Sequence, residues 1–472
     1  MKKLRLALSA GLVLAGACDT PIVTNENSPT TAALQGALTT AGVQTLSLGV
    51  LAQDRAFMSG FNYIIEPEIF ARDAYRIDSN EPRYVTETLG GTPDPGSFSA
   101  SGGFATGYTA IRAAITLVDA LPGADKASIS DAQRLTTTGF IQTIKALDYY
   151  RELELRDTIG VAILTSDPSF VPQLSCKRNV LDYVAAVLDS ANAGLVAAGS
   201  GTLPFAPPTG FTAYGRDFRK ASNLILLNRG LKGKVDVYRG LQHGTPVAGA
   251  FTAAITELTQ ALGGAAPGAV PASSFSNGAY VTYVAGGTEN TPNPISDAKI
   301  GVNPKAQAGL QAGDARASKI ITRTTAPVIL AGSGLTTNLT FVGASTANSA
   351  NQVRPTAILR DEEIVLLRAQ AYFEAGQFAN GAADLNSVRT SYGLAPIAVP
   401  GDITTARTAL LYEKRYSLFF EGPQRLVDLR AYGLLKAGVT PAELPNDPFN
   451  TALPIPKSEA DARGNDLSLS CK

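Results

Sequence analysis

A chain of 472 residues with 45% hydrophobic side chains can bury a large core, and its 40 basic and 40 acidic residues balance. With no basic excess to neutralise phosphates, a nucleic-acid partner is excluded. His243 is the only histidine, so a multi-histidine metal site is excluded as well. A Ser/His/Asp triad would have to use that one residue, which sits in the loop-like "GLQHGTP" and reads as a bystander. No metal and no cofactor are expected, and with Trp absent any aromatic platform must come from Tyr or Phe.

The first stretch, "MKKLRLALSAGLVLAGACDT", has a basic start, an apolar run from Leu6 to Ala17 and small residues before Cys18. This is the pattern of an export signal over residues 1–17. The run of about a dozen residues falls short of the roughly 20 needed to span a bilayer, and no later segment is expected to be long and apolar enough to qualify. Removing a leader with Lys2, Lys3 and Arg5 but no acid leaves a net charge of about −3.

"AGAC", from Ala15 to Cys18, resembles the bacterial lipobox, in which a cysteine receives a diacylglyceryl group before cleavage. Ala15 stands where the lipobox usually has Leu, with Leu14 one place early, and Ala15-Gly16-Ala17 also suits an ordinary A-x-A cleavage. Cys18 is read as lipidated, and its acyl chains, at about 0.8 kcal/mol per buried methylene, would hold the chain on a membrane. Residues 18–30 are polar and proline-broken, a flexible tether. Cys176 and Cys471 then remain, either as a disulfide tying the C-terminus to the first half or as two unrelated thiols.

Helical periodicity runs through 31–57, 104–121, 130–155, 178–198, 217–240, 248–262, 361–391 and 402–432, so the fold is expected to be mostly α. Two stretches break the pattern. Residues 75–103 are loop-like, and residues 263–353, rich in Gly, Ala, Ser, Thr and Asn, form a long irregular insertion in a single domain covering 31–472.

From Asp361 onward, Ala369, Tyr372, Gly376, Phe378, Gly381, Leu385 and Val388 fall at tetratricopeptide-repeat spacings, with Gly376 ending the first helix. One such helix pair cannot bury its own face, so further pairs must stack on it. "FIQTIKALDYYRELELRD" and "NLILLNRGLKGKVDVYRGL" are the expected partners.

"LFFEGPQRLVDLR", Leu418 to Arg430, sets Glu421, Arg425 and Asp428 among apolar residues, where charge is costly without a partner. A helix over about 406–421 should stop at Gly422 and a second start at Pro423. Arg425 between Glu421 and Asp428 would satisfy all three at the corner. As an acid and base pair the two carboxylates are poorly suited, because one shared arginine lowers both pKa values instead of separating them. The constellation reads as structural.

In this order, "RDEEIVLLRAQAYFEAG", "ADLNSVRTSYGL", "LLYEKRYSLFFEGPQRLVDLRAYG" and "ALPIPKSEADARGND" resemble the C-terminal half of the SusD/RagB family of outer-membrane nutrient-binding lipoproteins. Glu363, Asn386, Arg389, Glu413, Glu421, Arg425 and Asp428 match that family's motif positions, as do Pro454, Ile455, Pro456 and Glu459. Gln370 and Ser417 stand where glutamates are usual, and one residue is inserted between Gly422 and Arg425. The resemblance implies a tetratricopeptide-like scaffold and a lipid-anchored protein on the outer membrane, facing outward. It also implies a SusC-like TonB-dependent barrel as partner and binding of glycans or other oligomers without covalent chemistry.

The family's motifs name no ligand contacts. From composition, Tyr75, Arg76 and Tyr84 in the first loop region and Tyr280 and Tyr283 in the second are expected to line the pocket. Two other readings compete: a secreted α-helical glycoside hydrolase, for which no acid pair is marked out, and a helical-repeat adaptor, against which the long insertion counts.

Overall fold

The computed structural model describes residues 38–471, apart from 60, 79, 102, 243–245, 289, 325–327, 330–334 and 345–348. The leader, Cys18, the tether and His243 lie outside the described residues. Among those described, helices of eight or more residues are α1 (Thr40–Met58), α2 (Phe61–Phe70), α3 (Phe104–Ala120), α4 (Asp131–Arg156), α5 (Lys177–Ala198) and α6 (Ala221–Gly240). They continue with α7 (Ala250–Ala261), α8 (Asp361–Glu374), α9 (Phe378–Ser391), α10 (Ile403–Ser417) and α11 (Gln424–Ala431).

Several starts carry the expected chemistry. Ser130 and Gln133 form a reciprocal capping box ahead of α4, and the Asp402 carboxylate accepts the Thr405 amide ahead of α10. Successive helices then stack: α3 packs on α1 and α4, α5 on α4 and α6, α7 on α6 and α8. The α8/α9 pair meets at Gly381, where a Cβ would come within 2.5 Å of the Phe373 ring, and Gly376 makes the turn between them at φ +75°. α8 is covered by α7, α10 and α6, so of the two expected partner segments "NLILLNRGLKGKVDVYRGL" does pack on it. One apolar cluster runs through the stack from Leu38 to Leu453.

Three expectations are corrected. By length and composition α5 is apolar enough to cross a membrane; in the fold it turns Val180, Leu181, Val184, Leu188 and Leu195 into the stack. The helix before the corner stops at Ser417, because Phe420 takes φ +60° and its amide donates to Glu68 Oε1 at 3.0 Å.

The third is the Glu421–Arg425–Asp428 trio, which does not form. Glu421 accepts from Arg360 at 2.7 and 2.9 Å, and Asp428 pairs with Lys414 at 2.7 Å and accepts from the Tyr238 hydroxyl at 2.9 Å. Arg425, half-buried, lies chiefly in the field of Asp73, with Asp428 and Glu68 as weaker neighbours, and burial holds its pKa below the ordinary arginine value. The corner still satisfies its carboxylates, with different cations.

Strands are short: β1 (Ala74–Arg76), β2 (Val161–Ala162), β3 (Leu174–Ser175), β4 (Gly278–Val281), β5 (Ile300–Val302), β6 (Ile320–Thr322), β7 (Val328–Ile329), β8 (Thr336–Thr337), β9 (Leu339–Phe341), β10 (Thr356–Arg360) and β11 (Leu469–Ser470). The pairs β1/β5, β4/β10, β6/β9 and β7/β8 are antiparallel, and β3 lies between antiparallel β2 and parallel β11. The β3/β11 pairing brings Cys176 and Cys471 to a Cα separation of 5.2 Å, and they form a disulfide spanning 295 residues. Of the two readings of these cysteines, the bonded pair is the observed one.

Candidate ligand cleft

The five residues expected to line one pocket are not brought together. Tyr75 is buried on β1 and its hydroxyl donates to Glu443. Arg76 pairs with Asp297 and lies 5.1 Å over the Tyr84 ring, which packs edge to face with Phe61 at 5.0 Å and tilted against Phe98 at 4.9 Å. Those rings pack on one another. Tyr283 is buried, donating to Thr356 Oγ1. Tyr280 differs, because it forms the wall between two cavities.

Its ring packs at a tilt against Tyr214 at 4.3 Å, and its hydroxyl donates to the Ser276 carbonyl at 2.6 Å. Burial pushes that hydroxyl's pKa up to about 12, so it stays a donor. The wall needs a glycine behind it: a Cβ on Gly210 would sit 1.8 Å from the Tyr280 carbonyl oxygen.

On one side of Tyr280 lies a cleft of about 210 Å³. Its floor is aromatic, with Phe341 stacked on Phe420 at 4.7 Å and Phe419 edge-on to Phe420 at 4.8 Å. The corner motif supplies two of these rings, so the stretch read as structural also lines the cleft. At the rim, the exposed Arg354 guanidinium lies 5.8 Å over the Phe341 ring and has no ion-pair partner among the described residues. Asn293 fixes the loop that carries it, donating to the Arg354 carbonyl at 2.7 Å.

Lys319 adds a second cation. It donates to the Tyr416 and Ser417 carbonyls at 2.8 and 2.7 Å, and burial lowers its pKa to about 8. Glu421 is the one acid among the lining residues, and both its oxygens are taken by Arg360. On the far side of Tyr280 a more apolar cavity of about 490 Å³ is lined by residues such as Leu48, Pro207, Phe211 and Val284.

An aromatic floor with donors at the rim suits a polyhydroxylated ligand, whose apolar faces stack and whose hydroxyls accept. Of the residues named from composition, Tyr280 alone borders this cleft. Phe341, Arg354, Lys319 and the cleft role of Phe419 and Phe420 were not anticipated. The one available signal was the "FF" before Glu421, an aromatic pair beside a chain reversal.

The remaining motif positions lie in the scaffold. Glu363 pairs with Lys234 at 3.1 Å, Asn386 holds the Ile397 backbone through both ends of its amide, and Glu413 joins Arg389 at 2.6 Å to Arg316 at 2.7 Å.

No protein-family model matches the sequence, and no curated protein matches it. Solved structures do. A SusD superfamily protein from Parabacteroides distasonis superposes with a TM-score of 0.68 at 12% identity, covering 91% of this chain and 98% of the other. The chain has the SusD fold. A SusD homolog from Bacteroides thetaiotaomicron gives 0.66 at 14% identity, covering 92% and 98%, and a laminarin-binding SusD-like protein gives 0.58 at 17%, covering 89% and 97%. At such identities the SusD helix order is shared while side chains are not, so the cleft's chemistry rests on this chain's own residues.

Proposed function

We propose that the protein is a non-catalytic binding protein that captures oligosaccharides in the cleft between Tyr280, Phe341 and the Phe419–Glu421 corner. The observation that carries this reading is the Arg354 guanidinium, without an ion-pair partner among the described residues, over an aromatic floor on a SusD scaffold. One solved protein of this fold is named for binding laminarin, which makes laminarin oligosaccharides the first ligands to try. Hydrolysis is disfavoured, because a glycosidase needs two carboxyl groups across the scissile bond and this cleft offers one, held by Arg360. A lipid on Cys18 would anchor the protein to the outer membrane, outward-facing, and a SusC-like TonB-dependent barrel would receive the ligand.

Calorimetric titration of laminarin oligosaccharides, then of a wider glycan panel, tests the cleft. Arg354→Ala should weaken binding about fivefold, the ratio for losing one hydrogen bond of about 1 kcal/mol. An unchanged affinity would move the site to the apolar cavity behind Tyr280. Purification from native membranes, with mass spectrometry of Cys18 and of co-purifying proteins, tests anchor and barrel together.

A further inference from the structure

A third cavity of about 380 Å³ lies elsewhere, where the turn after α4, the start of α5, the end of α6 and the segment after α11 converge. Its walls carry three cations, Lys177, Arg430 and Lys436, against a single carboxylate, Asp157. Lys177 and Arg430 both hold Asp157, at 2.6 and 3.2 Å, so that carboxylate is already shared. Lys436 is exposed and has no ion-pair partner among the described residues.

Gln242 adds an independent sign. Its side-chain Nε2 is buried in the wall and has no hydrogen-bond acceptor among the described residues, a cost that a bound acceptor would remove. Nearby, α5 begins at Lys177 with no capping side chain and no acid in its first turn, so its positive end adds to the local field. Burial, with the Arg430 charge beside it, holds the Lys177 pKa below the ordinary lysine value despite Asp157. Donors and positive charge are in excess, and acceptors are lacking.

We infer that this cavity is a binding site for an oxyanion, a sulfate or carboxylate group held by Lys177, Lys436 and the Gln242 amide. The group could be a free inorganic anion or the acidic substituent of a sugar. The site is separate from the aromatic cleft and does not depend on the glycan reading.

The test is calorimetric titration of the intact protein with inorganic sulfate, glucuronate and, as neutral control, glucose, at constant ionic strength set by chloride. Saturable binding of sulfate or glucuronate but not glucose is expected, weakened roughly tenfold in Lys436→Gln/Gln242→Leu, since a charge-assisted and a neutral donor are both lost. An unchanged melting temperature shows that the variant is folded. Tighter binding of glucuronate than sulfate assigns the site to acidic sugars, and the reverse to a free anion. Absence of saturable binding by both anions, or equal binding by the folded variant, overturns the site. Arg354→Ala, which belongs to the other cleft, leaves this titration unchanged.

Discussion

The helix stack and the cleft bordered by the insertion between α7 and α8 treat charge in opposite ways. In the stack, Arg368 and Asp384 bind each other at 2.8 Å with both side chains fully buried, and Lys414, Asp428 and Tyr238 close a second network. Among the ties of the insertion to that frame, Arg368 donates to the Ala265 carbonyl at its start, and Arg316 reaches Glu413 farther along. Along its cleft, Arg354 lies on a ring and Lys319 on backbone carbonyls, without a carboxylate partner. Saturated charge makes a frame. Charge left with neutral partners makes a surface that can recognise something else.

That contrast can be broken most directly at Arg368. Arg368→Met strands Asp384 and frees the start of the insertion, and should cost about 3–5 kcal/mol in urea unfolding. A cost below about 1 kcal/mol would mean that the stack does not depend on its buried pairs. Next in size, Cys471→Ser should lower stability by about 2–4 kcal/mol, and a reducing agent should bring the unsubstituted protein to the same midpoint.

Two glutamates sharpen the picture, because the stack is not saturated everywhere. Burial raises Glu66 to a pKa of about 8 and Glu152 to about 7, so each keeps in the folded state a proton that the unfolded chain has released. The folded state therefore binds more protons from the ordinary carboxyl range up to about 7–8, and stability from these groups falls as pH rises through that window, then levels. The slope is at most about 1.4 kcal/mol per pH unit for each group. Glu66→Gln should flatten its share, seen by calorimetry between about pH 5.5 and pH 8; an unchanged slope would place the proton elsewhere. The smallest effect belongs to the insertion: Arg354→Ala should alter stability by no more than about 0.5 kcal/mol while weakening ligand binding.

Much of the frame was legible because helical periodicity and capping are local signals. The helices at 104–120, 131–156 and 177–198 end within a residue or two of expectation. α2 was missed, since Asn62 to Phe70 are buried on every side and leave no polar face to mark a period, and Pro67 argues against a helix. The cleft was not legible for a different reason. Phe341 and Arg354 meet Tyr280 only through the pairings β6/β9 and β4/β10, which join residues far apart in sequence. Aromatic content pointed to five residues, but whether a tyrosine faces solvent, a cavity or the core is decided by those pairings. Tyr75 and Tyr283 face inward.

The bond between Cys176 and Cys471 also sets an order of events. Its second sulfur is made 295 residues after its first, so for most of synthesis the earlier cysteine has no native partner and stays open to mispairing. The β3/β11 pairing that aligns the two sulfurs lies beside β2, and Cys176 leads directly into α5. The covalent closure joins two segments that the β3/β11 pairing has aligned, so it acts as a latch on that pairing.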